Sequence, residues 1–239
     1  MKKSYIIDNI QKYFLGGLVG EVIWTIQNGK VEIDFTTSTK DTVGNLIFDL
    51  ALDDNEIGIY NTDSLLRLLS ITNEDVQLEL SKSNTGLVNK LKIRDNKFDL
   101  DYNLSDINII QVVPKVGKVE YDFSFNIDNE FITNFLKAHN ALEKTPAFTI
   151  NTSTTKQGES VVELLLGERT THANKVKFTE PAIFTEPSDI LPFSASVFRE
   201  ILSANRGTAG TISVSNKGLA KLEFQTDTTF VKYFMVRLQ

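Results

Sequence analysis

The sequence of 239 residues contains no cysteine and only two histidines, His139 and His172. The lack of cysteine excludes disulfides, thiolate nucleophiles, zinc–thiolate sites and iron–sulfur clusters. Two histidines are too few for a metal site built on several imidazoles. No pair of carboxylates and no Ser–His–Asp arrangement stands out along the chain. We therefore expect no metal, no other cofactor and no enzymatic activity.

Long apolar runs are also absent. No stretch approaches the 18 or so consecutive apolar residues that a membrane-spanning helix needs. Polar residues such as Asp8 and Asn9 follow the N-terminal Met-Lys-Lys, where a signal peptide has an apolar segment. We expect no membrane partner and a cytoplasmic location. With 41% hydrophobic and 23% charged residues, the chain has the composition of a folded globular protein, of one large domain or two small ones.

Most of the chain has the pattern of short strands separated by turns. Residues 76–80 alternate apolar and polar side chains with a period of two, which is typical of a half-buried strand. Residues 21–26 and 30–35 flank Gln27-Asn28-Gly29, whose Asn-Gly pair favours a hairpin turn. Further strands are predicted at residues 45–52, 56–60, 91–93, 98–102, 119–127, 148–153, 160–166, 176–179, 211–215, 219–226 and 229–238.

Four segments instead carry apolar residues at helical spacing. They lie at residues 4–14, 63–71, 128–142 and 194–204. The predicted N-caps of the last three are Asp63, Asp128 and, for the fourth helix, either Ser194 or Ser196. Strands follow each helix, so the order of elements repeats once along the chain. We predict an α+β protein with an N-terminal domain (residues 1–110) and a C-terminal domain (residues 111–239), joined by a connector at about residues 103–118.

Three stretches point to a family. Residues 57–75 place a strand ending in Tyr60 before a short Leu-rich helix and an acidic turn. They resemble the corresponding element of the DNA polymerase sliding clamp, or processivity factor, of T-even-type bacteriophages. Residues 222–236 resemble the closing hairpin of that family, and residues 193–204 resemble its fourth helix. The chain departs from the family in the connector, where Pro114 is the only proline in place of a proline-dense segment.

The resemblance implies a fold, an assembly and a set of partners. The fold is the DNA-clamp fold, in which two similar domains each place two helices on antiparallel sheets. Six such domains form a closed ring around duplex DNA, so two domains per chain imply a homotrimer. The helices line the hole, and DNA is held without regard to sequence. The implied partners are duplex DNA, the replicative DNA polymerase and a clamp loader, in the cytoplasm of an infected bacterial host.

The charge of the helical segments agrees with this implication. Residues 1–15, 63–71, 131–144 and 194–206 carry eight bases and four acids (Asp8, Asp63, Glu143 and Glu200), a net charge of +4. Because the net charge of the whole chain is −6, the remaining residues carry a net charge of −10. Lys and Arg side chains are what sequence-independent contacts with phosphates require. The predicted DNA-facing residues are Lys2, Lys3, Lys12, Arg67, Lys137, Lys144, Arg199 and Arg206. The alternative is that these are ordinary solvated helix faces.

The connector is unusually apolar, since linkers are normally polar. The resemblance implies a pocket beside it that captures short peptides from polymerases and loaders. The predicted pocket residues are Ile107, Ile109, Ile110, Val112 and Val113, with Tyr233, Phe234 and Met235 as the other wall. The alternative is that residues 108–113 form a buried edge strand and residues 233–238 a core strand.

Two other functions stay open at this point. Strand richness, absence of cysteine and acidic charge also fit a structural or assembly protein of a phage virion. A non-ring processivity factor, binding DNA as a monomer, is the other alternative. For a ring, we expect residues 98–102 to pair with residues 176–183 of the next copy.

Overall fold

A computed structural model describes residues 1–84, 86–142, 144–167, 174–184 and 186–238. His172 and Glu143 lie outside the described residues. The chain forms two compact units. The first comprises Met1–Lys40, Gly44–Pro114 and Asp227–Val231; the second comprises Asp41–Val43, Lys115–Thr226 and Lys232–Gln239. The main division lies between residues 114 and 115, inside the segment predicted as the connector. The assignment of residues 41–43 and 227–231 to the opposite unit has no counterpart in the sequence prediction.

The described residues of the first unit form two helices and seven strands. The elements are α1 (Lys3–Phe14), β1 (Val22–Gln27), β2 (Lys30–Thr36), β3 (Thr42–Asp49), β4 (Asn55–Ile59), α2 (Thr62–Ile71), β5 (Gln77–Lys82), β6 (Val88–Arg94) and β7 (Asp99–Asn103). The strands form a four-stranded group in the order β3-β2-β1-β4 and a three-stranded sheet in the order β5-β6-β7. Strand β1 is antiparallel to β2 and β4, and β6 is antiparallel to β5 and β7. Single 3₁₀ turns form at Leu15–Gly17 and Ile107–Ile109.

Aromatic side chains build the core of the first unit. Trp24 is fully buried and meets Phe48 edge to face, with ring centroids 6.1 Å apart. Tyr13 of α1 packs against Phe35 of β2 at 6.4 Å. The Phe35 ring lies over Gly44, where a Cβ atom would come within 2.1 Å of the ring. A glycine is therefore required there for β2 and β3 to pack as they do.

Helix α2 begins differently from the prediction. The N-cap is Asn61, whose side chain accepts a hydrogen bond from Ser64 N at 2.9 Å. Asp63 lies inside the first turn, where its negative charge interacts favourably with the positive end of the helix dipole. The predicted cap at Asp63 is wrong because the chain already turns into the helix directly after β4. Tyr102 of β7 bonds both the N–H and the carbonyl of Asn61 through its hydroxyl, which fixes this turn against the three-stranded sheet.

The second unit repeats the combination of two helices and antiparallel strands. The elements are β8 (Phe123–Ile127), α3 (Asn129–Ala141), β9 (Ala147–Thr154), β10 (Ser160–Gly167), β11 (Lys175–Phe184), β12 (Leu191–Ser194), α4 (Ala195–Ala204), β13 (Gly210–Ser215), β14 (Leu219–Gln225) and β15 (Thr229–Val236). The strands follow the order β12-β9-β10-β11-β8-β13-β14, with the end of β15 beside β14.

A cluster of phenylalanines joins both helices of the second unit to its strands. Phe198 of α4 lies 4.7 Å from Phe135 of α3 and 4.6 Å from Phe148 of β9, between ring centroids. The predicted N-caps of these helices are confirmed. Asp128 accepts from Phe131 N at 2.8 Å, and Ser194 accepts from Val197 N at 3.4 Å.

Within the described part of the chain, no helix combines the length and the apolar character that crossing a lipid bilayer requires. The same residues contain no cluster of three or more histidines or carboxylates able to hold a metal ion.

Candidate nucleic-acid and partner surfaces

Two of the predicted DNA-facing cations stand on exposed helix faces. Lys137 lies on α3 opposite the buried Phe131 and Phe135. Arg67 lies on α2, opposite the buried Leu65 and Leu69, with 78% of its side chain exposed. Arg67 forms an ion pair with Asp63, one turn earlier, at 2.7 Å. Exposed pairs of this kind contribute little to stability and open easily, so the guanidinium stays accessible to a phosphate.

The cations of the other two helices are more enclosed. Lys12 of α1 is half-buried, and burial lowers the pKa of its ammonium group, opposed by the charge of Asp8. Arg199 of α4 is half-buried and pairs with the neighbouring Glu200. A phosphate would have to compete with these acids. The helices therefore offer less free positive charge than the sequence count suggests.

Two further cations lie just beyond helix ends. Lys144 follows α3 and Arg206 follows α4, and both side chains are exposed. They lie in the second unit, as Lys137 does. The second unit thus carries three exposed cations at or next to its helices.

Lys2 and Lys3 have structural roles in the first unit. Lys2 Nζ forms an ion pair with Asp75 at 2.8 Å. Asp75 lies outside the helical segments whose net charge was counted as +4. Lys3 Nζ donates to Thr72 O at 2.5 Å and to Ser70 O at 3.5 Å, which satisfies carbonyls at the C-terminal end of α2. Lys3 therefore caps the end of α2, and its predicted contact with DNA stays a prediction.

A groove of about 590 Å³ lies in the first unit between the connector and the outer faces of β1, β2 and β4. Four of the five connector residues predicted for a pocket line it: Ile107, Ile110, Val112 and Val113. Ile110 is buried and anchors the connector, whereas Val112 has 86% of its surface exposed. Ile109 is absent from the lining and is 61% exposed, because the 3₁₀ turn at Ile107–Ile109 directs it elsewhere.

Hydrogen bonds hold the connector in place without making it a strand. Ser105 N donates to Gly58 O at 3.0 Å, and Gln111 N donates to a carboxylate oxygen of Glu21 at 3.0 Å. Residues 107–113 belong to no strand of the described structure. The alternative of a buried edge strand at residues 108–113 is therefore wrong.

Two of the three residues predicted for the second wall of the groove are core residues of the second unit. Tyr233 and Met235 are buried in the second unit, at 0% and 2% exposure. Tyr233 Oη accepts a hydrogen bond from Asn205 Nδ2 at 2.9 Å. Phe234 is half-buried, on the opposite face of β15. The expectation that Tyr233 and Met235 line a pocket is corrected, since alternation along β15 places both in the core, as the core-strand alternative predicted. The role of Phe234 stays a prediction.

Acidic residues line the other side of the groove. Glu21, Glu32, Asp34 and Glu56 contribute to its lining, and no Lys or Arg does. Asn45 of β3 is 7% exposed and donates both to Glu32 at 2.9 Å and to Asp34 at 2.8 Å. Alternation in residues 30–36 places Glu32 and Asp34 on one outer face. The alternation that places the two acids on one face can be seen in the sequence. That the connector lies beside this face can be seen only in the structure.

Two strand edges have the features expected of a contact between copies. Strand β7 is an outer strand of the three-stranded sheet, so one of its edges is available for pairing. Strand β11 pairs with β10 through residues 175–181 and with β8 through residues 182–184, so one edge of residues 175–181 has no partner strand in the described structure. Residues 182 and 183 of the predicted contact already pair with β8, although the side chain of Ile183 has 80% of its surface exposed. These are the segments predicted to meet in a ring.

The fold is that of the sliding clamps of the PCNA type, an α+β fold with antiparallel sheets and four helices. One similar solved structure is A. fulgidus PCNA with the C-terminal region of FEN-1 bound, with a TM-score of 0.78, 14% identity, and coverage of 100% of this chain and 97% of that one. Another is Proliferating Cellular Nuclear Antigen from Entamoeba histolytica, with a TM-score of 0.75, 13% identity and the same coverage. No protein-family model and no curated protein sequence matches the chain.

Proposed function

We propose that this protein is a sliding clamp that encircles duplex DNA as a homotrimer and tethers a replicative DNA polymerase to it. The observation that carries the proposal is a fold similarity to PCNA over the whole chain, with both units and all four helices included. A clamp has no catalytic step, which agrees with the absence of an acid–base pair in the sequence. A clamp loader would open the ring to place it on DNA.

The resemblance of residues 57–75 to the clamps of T-even-type phages supports a role in phage DNA replication. On that reading the protein works in the cytoplasm of an infected bacterial host. Nothing specific in the structure favours a virion protein.

The helix cations fit a contact that retains DNA but lets it slide. Arg67 and Lys137 are exposed and Lys12 and Arg199 are half-buried, so each helix carries at least one cation among neutral and acidic neighbours. A few dispersed cations attract phosphates without reading bases, and the attraction falls as salt rises. Retention would then come from ring closure and not from tight binding.

Ring closure would pair β7 of one copy with the open edge of β11, at residues 175–181, in the next copy. Closure leaves no open sheet edge at these strands, which removes a site for aggregation. It would also cover the exposed Ile183.

The proposal is tested by the topology of DNA binding. The chain lacks cysteine, so Phe98→Cys together with Ile183→Cys places the only thiols at the proposed contact. We expect the protein to have three times the 26.8 kDa chain mass by light scattering. A flexible bismaleimide should then link three chains into a closed ring. That ring should stay on a nicked circular plasmid when the protein is denatured, and it should leave the DNA once the plasmid is linearised.

The single-cysteine variants are the controls, since neither can close a ring. If the protein is a strict monomer that binds linear and circular DNA alike, the ring is wrong and the non-ring processivity factor is favoured. An open-ended polymer would favour the virion protein.

A further inference from the structure

Three of the four helices carry an acid beside the cation predicted to face DNA. We propose that these acids compete with DNA phosphates for the cations and so set how weakly the protein binds the duplex. The inference rests on the proposed function for the contact between helices and DNA, and adds the residues that tune its strength. The acids are Asp8, Asp63 and Glu200, beside Lys12, Arg67 and Arg199 respectively.

The two acids of the first unit have the same spacing from their cations. Asp8 precedes Lys12 by four residues on α1, and Asp63 precedes Arg67 by four residues on α2. Side chains at this spacing are neighbours on one face of a helix, and an acid before a base is the favourable order. Each acid therefore lies on the same face of its helix as the cation that would meet a phosphate.

Both acids act on these cations in the structure. The carboxylate of Asp63 lies 2.7 Å from the guanidinium of Arg67, and both side chains are more than half exposed. Burial lowers the pKa of Lys12, and the charge of Asp8 opposes that shift because it favours the charged ammonium group. The two cations thus have a negative neighbour before any phosphate arrives.

The two helices of the second unit differ from each other in this respect. On α4, Arg199 pairs with the adjacent Glu200. On α3, Lys137 forms no ion pair with any of the described residues. The residue four positions before it is Thr133, which is exposed and uncharged. Lys137 is therefore a cation at a comparable helix position without a competing acid.

The strength of a paired contact is a difference between two ion pairs. A cation without a partner releases condensed counterions when it neutralises a phosphate, which steepens the fall of log K with log salt by about 0.9 for each contact. A cation with an acid must leave that acid, which then attracts a counterion from solution. Most of the gain is cancelled, so affinity and salt dependence are both smaller. A weak contact suffices where ring closure retains the protein.

Binding of a short fluorescein-labelled linear duplex, measured by anisotropy at several salt concentrations, tests the proposal. Asp8→Asn with Asp63→Asn should raise affinity at low salt about three- to tenfold and steepen the salt dependence by up to about 0.9 for each released cation. Asp49→Asn with Asp53→Asn is the control. It makes the same change in net charge at exposed residues of the first unit outside the helices, and should leave the salt dependence nearly unchanged.

The reverse change is made on α3. Thr133→Asp places an acid four residues before Lys137, so it should lower affinity for the duplex and flatten its salt dependence. The matched control repeats Thr133→Asp in a protein that already carries Lys137→Gln. There the new acid has no cation to hold, and its effect should be much smaller.

The proposal is wrong if Asp8→Asn with Asp63→Asn binds DNA as its control pair does, if Thr133→Asp has the same effect with and without Lys137, or if no variant binds the duplex. In each case the acids only stabilise their helices. None of these results alters retention on circular plasmid, which tests the clamp separately. A protein that responds to the acids but is not retained on circular DNA would overturn the clamp and keep their role.

Discussion

Asn205 and Tyr233 form a hydrogen bond at 2.9 Å in the core of the second unit, and both residues are fully buried. The same amide nitrogen also donates to Ile201 O at 2.8 Å, at the end of α4. Burial raises the pKa of the Tyr233 hydroxyl, so it stays neutral as it accepts the bond. The pair fastens the C-terminal end of α4 to β15.

Replacing Tyr233 by Phe should lower the free energy of unfolding by about 1–2 kcal/mol, because a buried amide hydrogen loses its acceptor. Chemical denaturation of Tyr233→Phe would measure this. Tyr60→Phe is the control, since Tyr60 is 57% exposed, and its effect should stay within about 0.5 kcal/mol. Equal stability of the two variants would mean that the hydrogen bond contributes nothing.

Glu180 should make stability depend on pH. Burial raises the pKa of this carboxyl group, and the charges of Asp128 and Glu130 raise it further. A carboxyl whose folded pKa is raised favours the fold below its ordinary pKa, and that contribution is lost as pH rises through the folded value. Glu180→Gln should therefore raise the melting temperature at pH 7.5 and leave it nearly unchanged at pH 4.

The control for this prediction is Glu186→Gln, which changes an exposed glutamate close by in the same unit. Melts at two protein concentrations separate the effect from assembly. A gain at pH 4 as large as the gain at pH 7.5 would contradict the titration of Glu180 as its cause.

Ile183→Asp should shift the protein from trimer to monomer in light scattering. A carboxylate placed in a contact between copies must lose water without gaining a partner, which costs several kcal/mol. The side chain is 80% exposed in the single chain, so the fold itself should tolerate the change. Ile190→Asp, at a residue 48% exposed in the same unit, is the control and should remain trimeric. An unchanged mass for Ile183→Asp would remove β11 from the contact.

Charge reversal of Lys137, Lys144 and Arg206 should lower the affinity for duplex DNA by about tenfold or more at low salt and reduce its salt dependence. These cations are the exposed ones at the helices of the second unit. Reversal of Lys115, Lys118 and Lys217, three exposed lysines of that unit away from the helices, makes the same change in net charge. If both triple variants lose affinity equally, net charge and not the helix surface controls DNA binding.

Periodicity was sufficient to predict most of the elements. In β2, the alternation of Val31, Ile33 and Phe35 with polar residues fixes the strand and its buried face, and the structure has both. The apolar stripe of α3 likewise gives the buried Phe131 and Phe135. These patterns are local, since one strand or one helix reveals which of its own faces is buried.

Relationships between distant segments were not predictable. The pairing of Lys2 with Asp75 depends on where the chain returns after α2, so the sequence count treated Lys2 as a free cation. The two hydrogen bonds that Asn45 donates, to Glu32 and to Asp34, depend on which strand lies beside β2. Tyr233 was predicted at a pocket wall because the family resemblance implies a pocket beside the connector, although alternation along β15 directs it into the core.

The connector is fastened at Ser105 and Gln111, and its residues between and beyond them take no part in any strand of the described structure. Replacing a side chain such as Val112 therefore disturbs no strand pairing and no buried core. If the protein is the clamp proposed above, substitutions there would change which partner it recruits at little cost to folding. Under that proposal, partner choice could vary while the fold is kept, as a shared fold is kept at 14% identity.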